Sequence, residues 1–93
     1  MEFEWDEDKA KTNFAKHRID FYDVTSVFEG DYVLLDGGYG DDGEERFVAV
    51  GYPTSGPLIL LNVVFTERGT RLRLISARKA TRHEQRTYYS RYS

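Results

Sequence analysis

The chain has 93 residues, 40% hydrophobic and 31% charged, without cysteine; this allows one domain over 1–93 with a modest core and excludes disulfides and thiolate metal sites. No run approaches the length of a membrane-spanning helix, and the acidic start Met1-Glu2-Phe3-Glu4-Trp5-Asp6 lacks the basic and apolar regions of a signal peptide, so a soluble cytoplasmic protein is expected. The net charge of −3 hides an asymmetry: residues 1–65 hold 5 Lys/Arg against 14 Asp/Glu, whereas residues 66–93 hold 8 against 2, a basic end suited to a polyanion.

Phe3 and Trp5 alternate with Glu2 and Glu4, which predicts a short strand over 2–5. Asp6 then stands as a helix N-cap with Glu7 and Asp8 in the first turn, and the helix runs to about Lys16. Ala10, Phe14 and His17 share a face of it, and Trp5 packs over Ala10 as a staple. Phe21, Val24, Val27 and Phe28 follow helical spacing, with Asp20 as cap and Gly30 as stop. Tyr32 to Leu35 reads as a strand, and Asp36 to Gly43, with its many glycines and aspartates, as a loop.

Three strand signals follow. They are Arg46 to Tyr52, the almost continuously apolar Leu58 to Phe65, and the alternating Thr70 to Arg78. In the last, Leu72, Leu74 and Ser76 fall on one side, with Arg71, Arg73 and Ile75 on the other. Short turns at 53–57 and 67–70 make these an antiparallel meander. Thr81-Arg82-His83-Glu84 matches a capping box and opens a final helix, docked by Tyr88 and Tyr89, on which Arg82 and Arg86 share a face. The expected class is α+β: a short N-terminal strand, two helices, an antiparallel meander and a C-terminal helix.

His17 and His83 have no spaced partners resembling a zinc motif, and no phosphate-binding glycine loop is present. What remains is a set of basic groups around the last two strands: Arg68, Arg71, Arg73, Arg78 and Lys79. Guanidiniums there suit bidentate contacts to phosphate, or else form a solubilising sheet face. Glu45, beside Arg46, is a base for a ribose hydroxyl or a plain salt-bridge partner. His17 is a general acid or base near neutrality, or a cap on the end of its helix. His83 falls in the first turn of the final helix, exposed.

In order along the chain stand Trp5-Asp6, Lys9-Ala10, Asn13, Lys16-His17, Ile19, Phe21 and Val27-Phe28, then Gly43-Glu44-Glu45-Arg46-Phe47 and Gly51. Leu60-Leu61, Val63-Val64-Phe65-Thr66 and Arg68-Gly69 follow, then the block Arg71 to Thr81 with Glu84 and Tyr88 beyond. Together these segments resemble the BrnT toxin family over nearly the whole chain. The resemblance implies a RelE-like fold, metal-free and cofactor-free RNA cleavage that arrests translation, and a BrnA-like ribbon-helix-helix antitoxin that neutralises the toxin and alone contacts promoter DNA. It implies His17, Glu45, Arg46, Arg68 and Arg78 as the catalytic positions; Arg71, Arg73, Lys79 and Arg82 are expected to bind RNA. Attack by the ribose 2′-hydroxyl on the adjacent phosphate is the implied chemistry. The alternative is a binding module for a protein or nucleic acid without catalysis. Two positions depart from the family's pattern: Arg18 replaces a glycine after the Lys-His pair, and Gln85 stands where a basic residue is common.

Overall fold

The structure is a computed structural model and describes residues 1–92. A strand, β1 (Glu2–Glu4), leads into helix α1 (Glu7–His17). Asp6 caps α1 as its sequence position demands, accepting from the amides of Asp8 at 2.8 Å and Lys9 at 3.3 Å. The helix ends on Arg18 in the left-handed conformation, φ 60° and ψ 30°, its amide donating to Phe14 O at 2.8 Å. That is the backbone a glycine C-cap supplies; Arg18 adopts it at a steric cost, with its guanidinium 5.7 Å from the Phe14 ring. Helix α2 (Phe21–Val24), capped by Asp20, continues as a 3-10 segment, Thr25–Glu29, and stops at Gly30.

Four antiparallel strands follow: β2 (Tyr32–Tyr39), β3 (Glu45–Gly51), β4 (Leu61–Arg68) and β5 (Arg71–Lys79), before helix α3 (Arg82–Tyr92). The five-stranded sheet has the order β1-β5-β4-β3-β2, which puts the apolar β4 at its centre. β1 pairs with β5 in parallel, so the sheet is mixed where an antiparallel one was expected. A chain that leaves β1 through two helices has length enough for the crossover a parallel pair needs.

Two strand boundaries and one register depart from the sequence reading. β2 runs on to Tyr39, through a segment expected to be loop, because Gly37 and Gly38 form an irregularity rather than an end. A Cβ on Gly37 would lie 2.8 Å from the Arg46 carbonyl carbon, so only glycine lets the two strands approach there. β4 begins at Leu61, and Leu58 is 88% exposed. The register is set by the two-residue hairpin Gly69-Thr70, whose Gly69 has φ +62°, so hydrophobicity alone misplaced the strand. Finally, β5 carries a bulge: Phe65 pairs with Leu74 but Val64 pairs with Ser76, leaving Ile75 extra. Alternation resets across it, and Ser76 joins Arg71 and Arg73 instead of Leu72 and Leu74.

The sheet is covered on both sides. Ile19, Phe21, Val24 and Val27 pack on Ala49, Leu61, Val63, Phe65, Leu74 and Ala77. On the other side Tyr88 of α3 and Ala80 join Val50 and Leu60, with Val33, Leu35, Val48 and Tyr52 against them. Hydroxyl contacts fix α3: Tyr52 with Tyr89, and Tyr92 to Tyr32 O at 2.9 Å. The face of α1 turned to the sheet differs from the expected one. Asn13 is buried, whereas Phe14 is 44% exposed and His17 is exposed. Asn13 Oδ1 accepts from the Ala77 amide at 3.1 Å, and its Nδ2 donates to Ile19 O at 3.4 Å. β1 pairs with β5 only over residues 71–73, so this side chain satisfies a strand-edge amide beyond β1's reach.

Candidate functional site

Register and alternation decide which side chains share a face. Arg68 pairs with Arg71, Thr66 with Arg73, and Asn62 with Arg78. Val50 and Val48 pair with Asn62 and Val64, and both pack toward α3. Arg46, two residues before Val48, points the same way. Arg46, Arg68, Arg71, Arg73 and Arg78 therefore all project from the α3 side of the sheet. α3 covers the part of that side over β2 and β3. The part over β4, β5 and β1 holds Arg68, Arg71, Arg73 and Arg78 with Ser76 and Thr66, and Arg46 stands at the start of β3. The β5 bulge is what brings Arg78 onto this face, since unbroken alternation would have set it against Arg71 and Arg73.

Four of the five guanidiniums have carboxylate partners. Glu4 takes Arg73 at 2.7 Å and Arg71 at 3.8 Å, and Glu2 takes Arg71 at 3.4 Å, so β1 is tied to β5 by charge as well as by backbone. Arg68 meets Glu44 side-on, Nε at 3.0 Å and Nη2 at 2.7 Å, which raises the arginine's pKa further above its usual value. Arg46 lies against Gly40, where a Cβ would come 2.6 Å from its Nε.

Arg78 meets Glu84 end-on, with Nη1 to Oε1 at 3.0 Å and Nη2 to Oε2 at 3.1 Å; Nη1 also donates to Lys79 O at 3.1 Å. Glu84 is the acid of the capping box: its Oε1 accepts from Thr81 N at 2.8 Å, and Thr81 Oγ1 accepts from Glu84 N at 3.2 Å. Asn62 Nδ2 adds a third donor to Glu84 at 2.7 Å. Burial pushes the Glu84 carboxyl up, but the Arg78 hydrogen bonds, the Thr81 amide, the Arg78 charge and Asn62 together hold it below its ordinary value. Arg78 lies beside the N-terminus of α3, and a carboxylate of this same chain takes the place of an anion there. Of the five donors on a guanidinium, these contacts leave Nε and the second Nη2 proton, one side edge of the fork, to other ligands. The Arg78 side chain is 39% exposed.

His17 lies apart from this row. It lines a cleft of about 310 Å3 between α1 and β5, with Asn13, Lys16, Lys9, Ile75 and Ser76 among its walls. Ser76 belongs both to this cleft and to the arginine face, so the two adjoin at the bulge. Glu45 does not join them. It alternates with Arg46 and shares the opposite side of β3 with Phe47, at the end of the strand remote from Val50, Asn62 and Arg78. β3 does lie across the central strand from β5, but this register sets Glu45 and Arg78 on opposite faces and at opposite ends, so they do not meet over one phosphate. Lys79 likewise alternates with Arg78 and is exposed on the helix side of the sheet, and Arg82 is exposed in the first turn of α3. No group of three or more His, Asp or Glu among the described residues is arranged to hold a metal.

Sequence reasoning missed Asn13, Ser76 and the counter-charges Glu2, Glu4, Glu44 and Glu84. Asn13 carried a signal, an asparagine in a helix interior where it is a poor helix former. The others depend on register.

The chain is thus a small mixed-sheet α+β domain with a one-sided row of arginines, most of them paired to carboxylates, and a histidine cleft at its edge. Residues 5–84 match the family described as the ribonuclease toxin, BrnT, of type II toxin–antitoxin systems, and the chain belongs to that family. No curated protein matches it. Family membership makes the chain a toxin of the ribonuclease class with an antitoxin as its partner. No helix among the described residues is long and apolar enough to cross a membrane.

Proposed function

We propose that this chain cleaves RNA on the arginine face without a metal, in the cytoplasm, arresting translation until a BrnA-like ribbon-helix-helix antitoxin neutralises it. Promoter DNA is contacted only through that antitoxin. The observation that carries the reading is the single-sided row Arg46, Arg68, Arg71, Arg73 and Arg78. RNA phosphates follow the row, exchanging with Glu2, Glu4 and Glu44, which pair with those guanidiniums in the free protein. The free edge of Arg78 receives the scissile phosphate and stabilises charge as it builds on the phosphoryl oxygens. Arg46 or Arg68 assists it.

The ribose 2′-hydroxyl attacks the adjacent phosphate and a base takes its proton; the bond from phosphorus to the 5′-oxygen of the next nucleotide breaks, leaving a 2′,3′-cyclic phosphate and a 5′-hydroxyl that takes up a proton. His17 is favoured over Glu45 as that base, because its cleft shares Ser76 with the arginine face whereas Glu45 lies behind the sheet. Lys79 and Arg82 extend the basic surface beyond the site. The pairing of four of the five arginines supports the other reading, a face that binds RNA or protein without cutting. Alanine variants of Arg46, Arg68, Arg78 and His17 separate the two. Each is expected to lower cleavage about 10²–10³-fold while Lys11→Ala, remote from the face, leaves it intact. Wild-type protein that binds RNA and never cleaves it would leave only the binding reading.

A further inference from the structure

The opposite side of the same sheet carries a second surface that RNA cleavage does not use. Beyond α1 and α2, at the edge of the 3-10 segment, two concavities open side by side. One, of about 200 Å3, is lined by Met1, Phe28, Tyr32, Leu34, Phe47, Phe65, Glu67 and Leu72. The other, of about 280 Å3, is lined by Glu44, Glu45, Phe47, Thr66 and Glu67. They share Phe47 and Glu67, so they form one surface. Leu34 is 57%, Met1 78% and Tyr39 75% exposed, and Tyr39 pairs with Glu45 on this side. Asp36 pairs with Phe47 and points the same way.

The charged side chains here are acidic. Asp36, Glu45 and Glu67 have no ion-pair partner among the described residues, and neither concavity is lined by a Lys or Arg. Glu45 and Glu67 come from neighbouring strands and line the same hollow, an arrangement that costs stability when nothing offsets it. The contrast with the arginine face is direct: there Glu2, Glu4 and Glu84 are each matched to a guanidinium, whereas of the carboxylates here only Glu44, at the rim shared with that face, is matched, to Arg68. Exposed apolar groups ringed by uncompensated carboxylates complement a segment with an apolar stripe flanked by Lys or Arg.

We propose that this acidic, apolar surface is a docking site for the antitoxin, which seats a cationic amphipathic segment on it. The proposal rests on the chain having an antitoxin and does not depend on catalysis. Occupation of the surface leaves the arginine face to a separate part of the antitoxin, so the two sides contribute independently to affinity.

The test titrates purified cognate antitoxin into toxin by calorimetry, comparing wild type with Asp36→Lys/Glu67→Lys and with Leu34→Ser. The double reversal should weaken binding on the order of 100-fold and reduce the salt dependence of what remains. Leu34→Ser should weaken it about 10-fold with the salt dependence kept. Asp41→Lys, a charge reversal in the neighbouring turn, should bind as wild type does. Thermal melts accompany each titration; if the double reversal fails to fold, Leu34→Ser and Glu67→Lys alone carry the test. Unchanged affinity in folded variants of the surface overturns the proposal, as does loss of all binding on altering Arg73 and Arg78 alone. RNA cleavage is measured in parallel, so an inactive toxin that still loses antitoxin affinity through Leu34 and Glu67 refutes the proposed function and supports this surface.

Discussion

Removing Arg78 should cost this protein both stability and activity, by separate routes whose sizes the structure sets. Arg78→Ala deletes two charge-assisted hydrogen bonds to Glu84, whose side chain is 16% exposed. Hydrogen bonds to charged groups contribute about 1.5–3 kcal/mol each when buried. Arg78 itself is 39% exposed, which discounts them, and Glu84 keeps Thr81 and Asn62 as donors. A net loss of about 2 kcal/mol follows, a fall in melting temperature of roughly 8–16 °C for a domain this small. Arg78→Lys should recover less than half of it, because an ammonium cannot reproduce the fork. Urea unfolding of Arg78→Ala, Glu84→Gln and the double variant closes a cycle whose coupling should be about 1 kcal/mol or more. pH supplies a second reading. Glu84 has a lowered folded-state pKa, so its contribution is present above the ordinary value of 4.5 and is lost as pH falls through the lowered one. Arg78→Ala should therefore flatten the stability profile below about pH 4.5. Coupling near zero, with an unchanged acid limb, would refute the argument that Arg78 clamps α3 to the sheet.

Other expectations follow from single residues. Arg18→Gly should stabilise the fold by about 0.5–1 kcal/mol in urea unfolding, since relief of the left-handed strain exceeds the loss of the Phe14 contact; destabilisation would contradict it. Asn13→Ala should cost about 1–3 kcal/mol by leaving the Ala77 amide unpaired at the strand edge, and amide exchange at Ala77 should quicken. Gly37→Ala should cost about 1–3 kcal/mol, because the new Cβ meets strand backbone that cannot rotate away; a neutral effect would mean β2 does not run past Asp36.

Local rules made much of the fold legible. Asp6, Asp20 and the Thr81–Glu84 box start their helices where capping chemistry requires, because a cap involves only residues within one turn. Features that need two strands were not legible. The bulge at Ile75 is a mismatch between β4 and β5, and no pattern within β5 announces it. β1's parallel pairing and the three-residue shift in the start of β4 are likewise decided by partners remote in sequence. The same division runs through the site. The arginines stand out by type and number, and alternation around the turn at 67–70 set Arg68, Arg71, Arg73 and Arg78 around the last two strands. Their carboxylate partners did not stand out, because Glu2 and Glu4 lie almost seventy residues away from Arg71 and Arg73. Glu84 was visible as a capping acid, and its second role as the counter-ion of Arg78 appears only once β5 is in place. Glu45 was grouped with Arg46 by adjacency, although neighbours in a strand face opposite ways.

The central claim is that the arginine face cuts RNA using only groups of this chain. The direct test incubates purified toxin, free of antitoxin, with a defined RNA in excess EDTA and identifies the ends of the fragments. Cleavage that persists and leaves 2′,3′-cyclic phosphate, and that falls at least about 100-fold in Arg78→Ala at a temperature where that variant is folded, is the predicted result. Cleavage abolished by chelation and restored by a divalent ion, or folded Arg78→Ala as active as wild type, would contradict it.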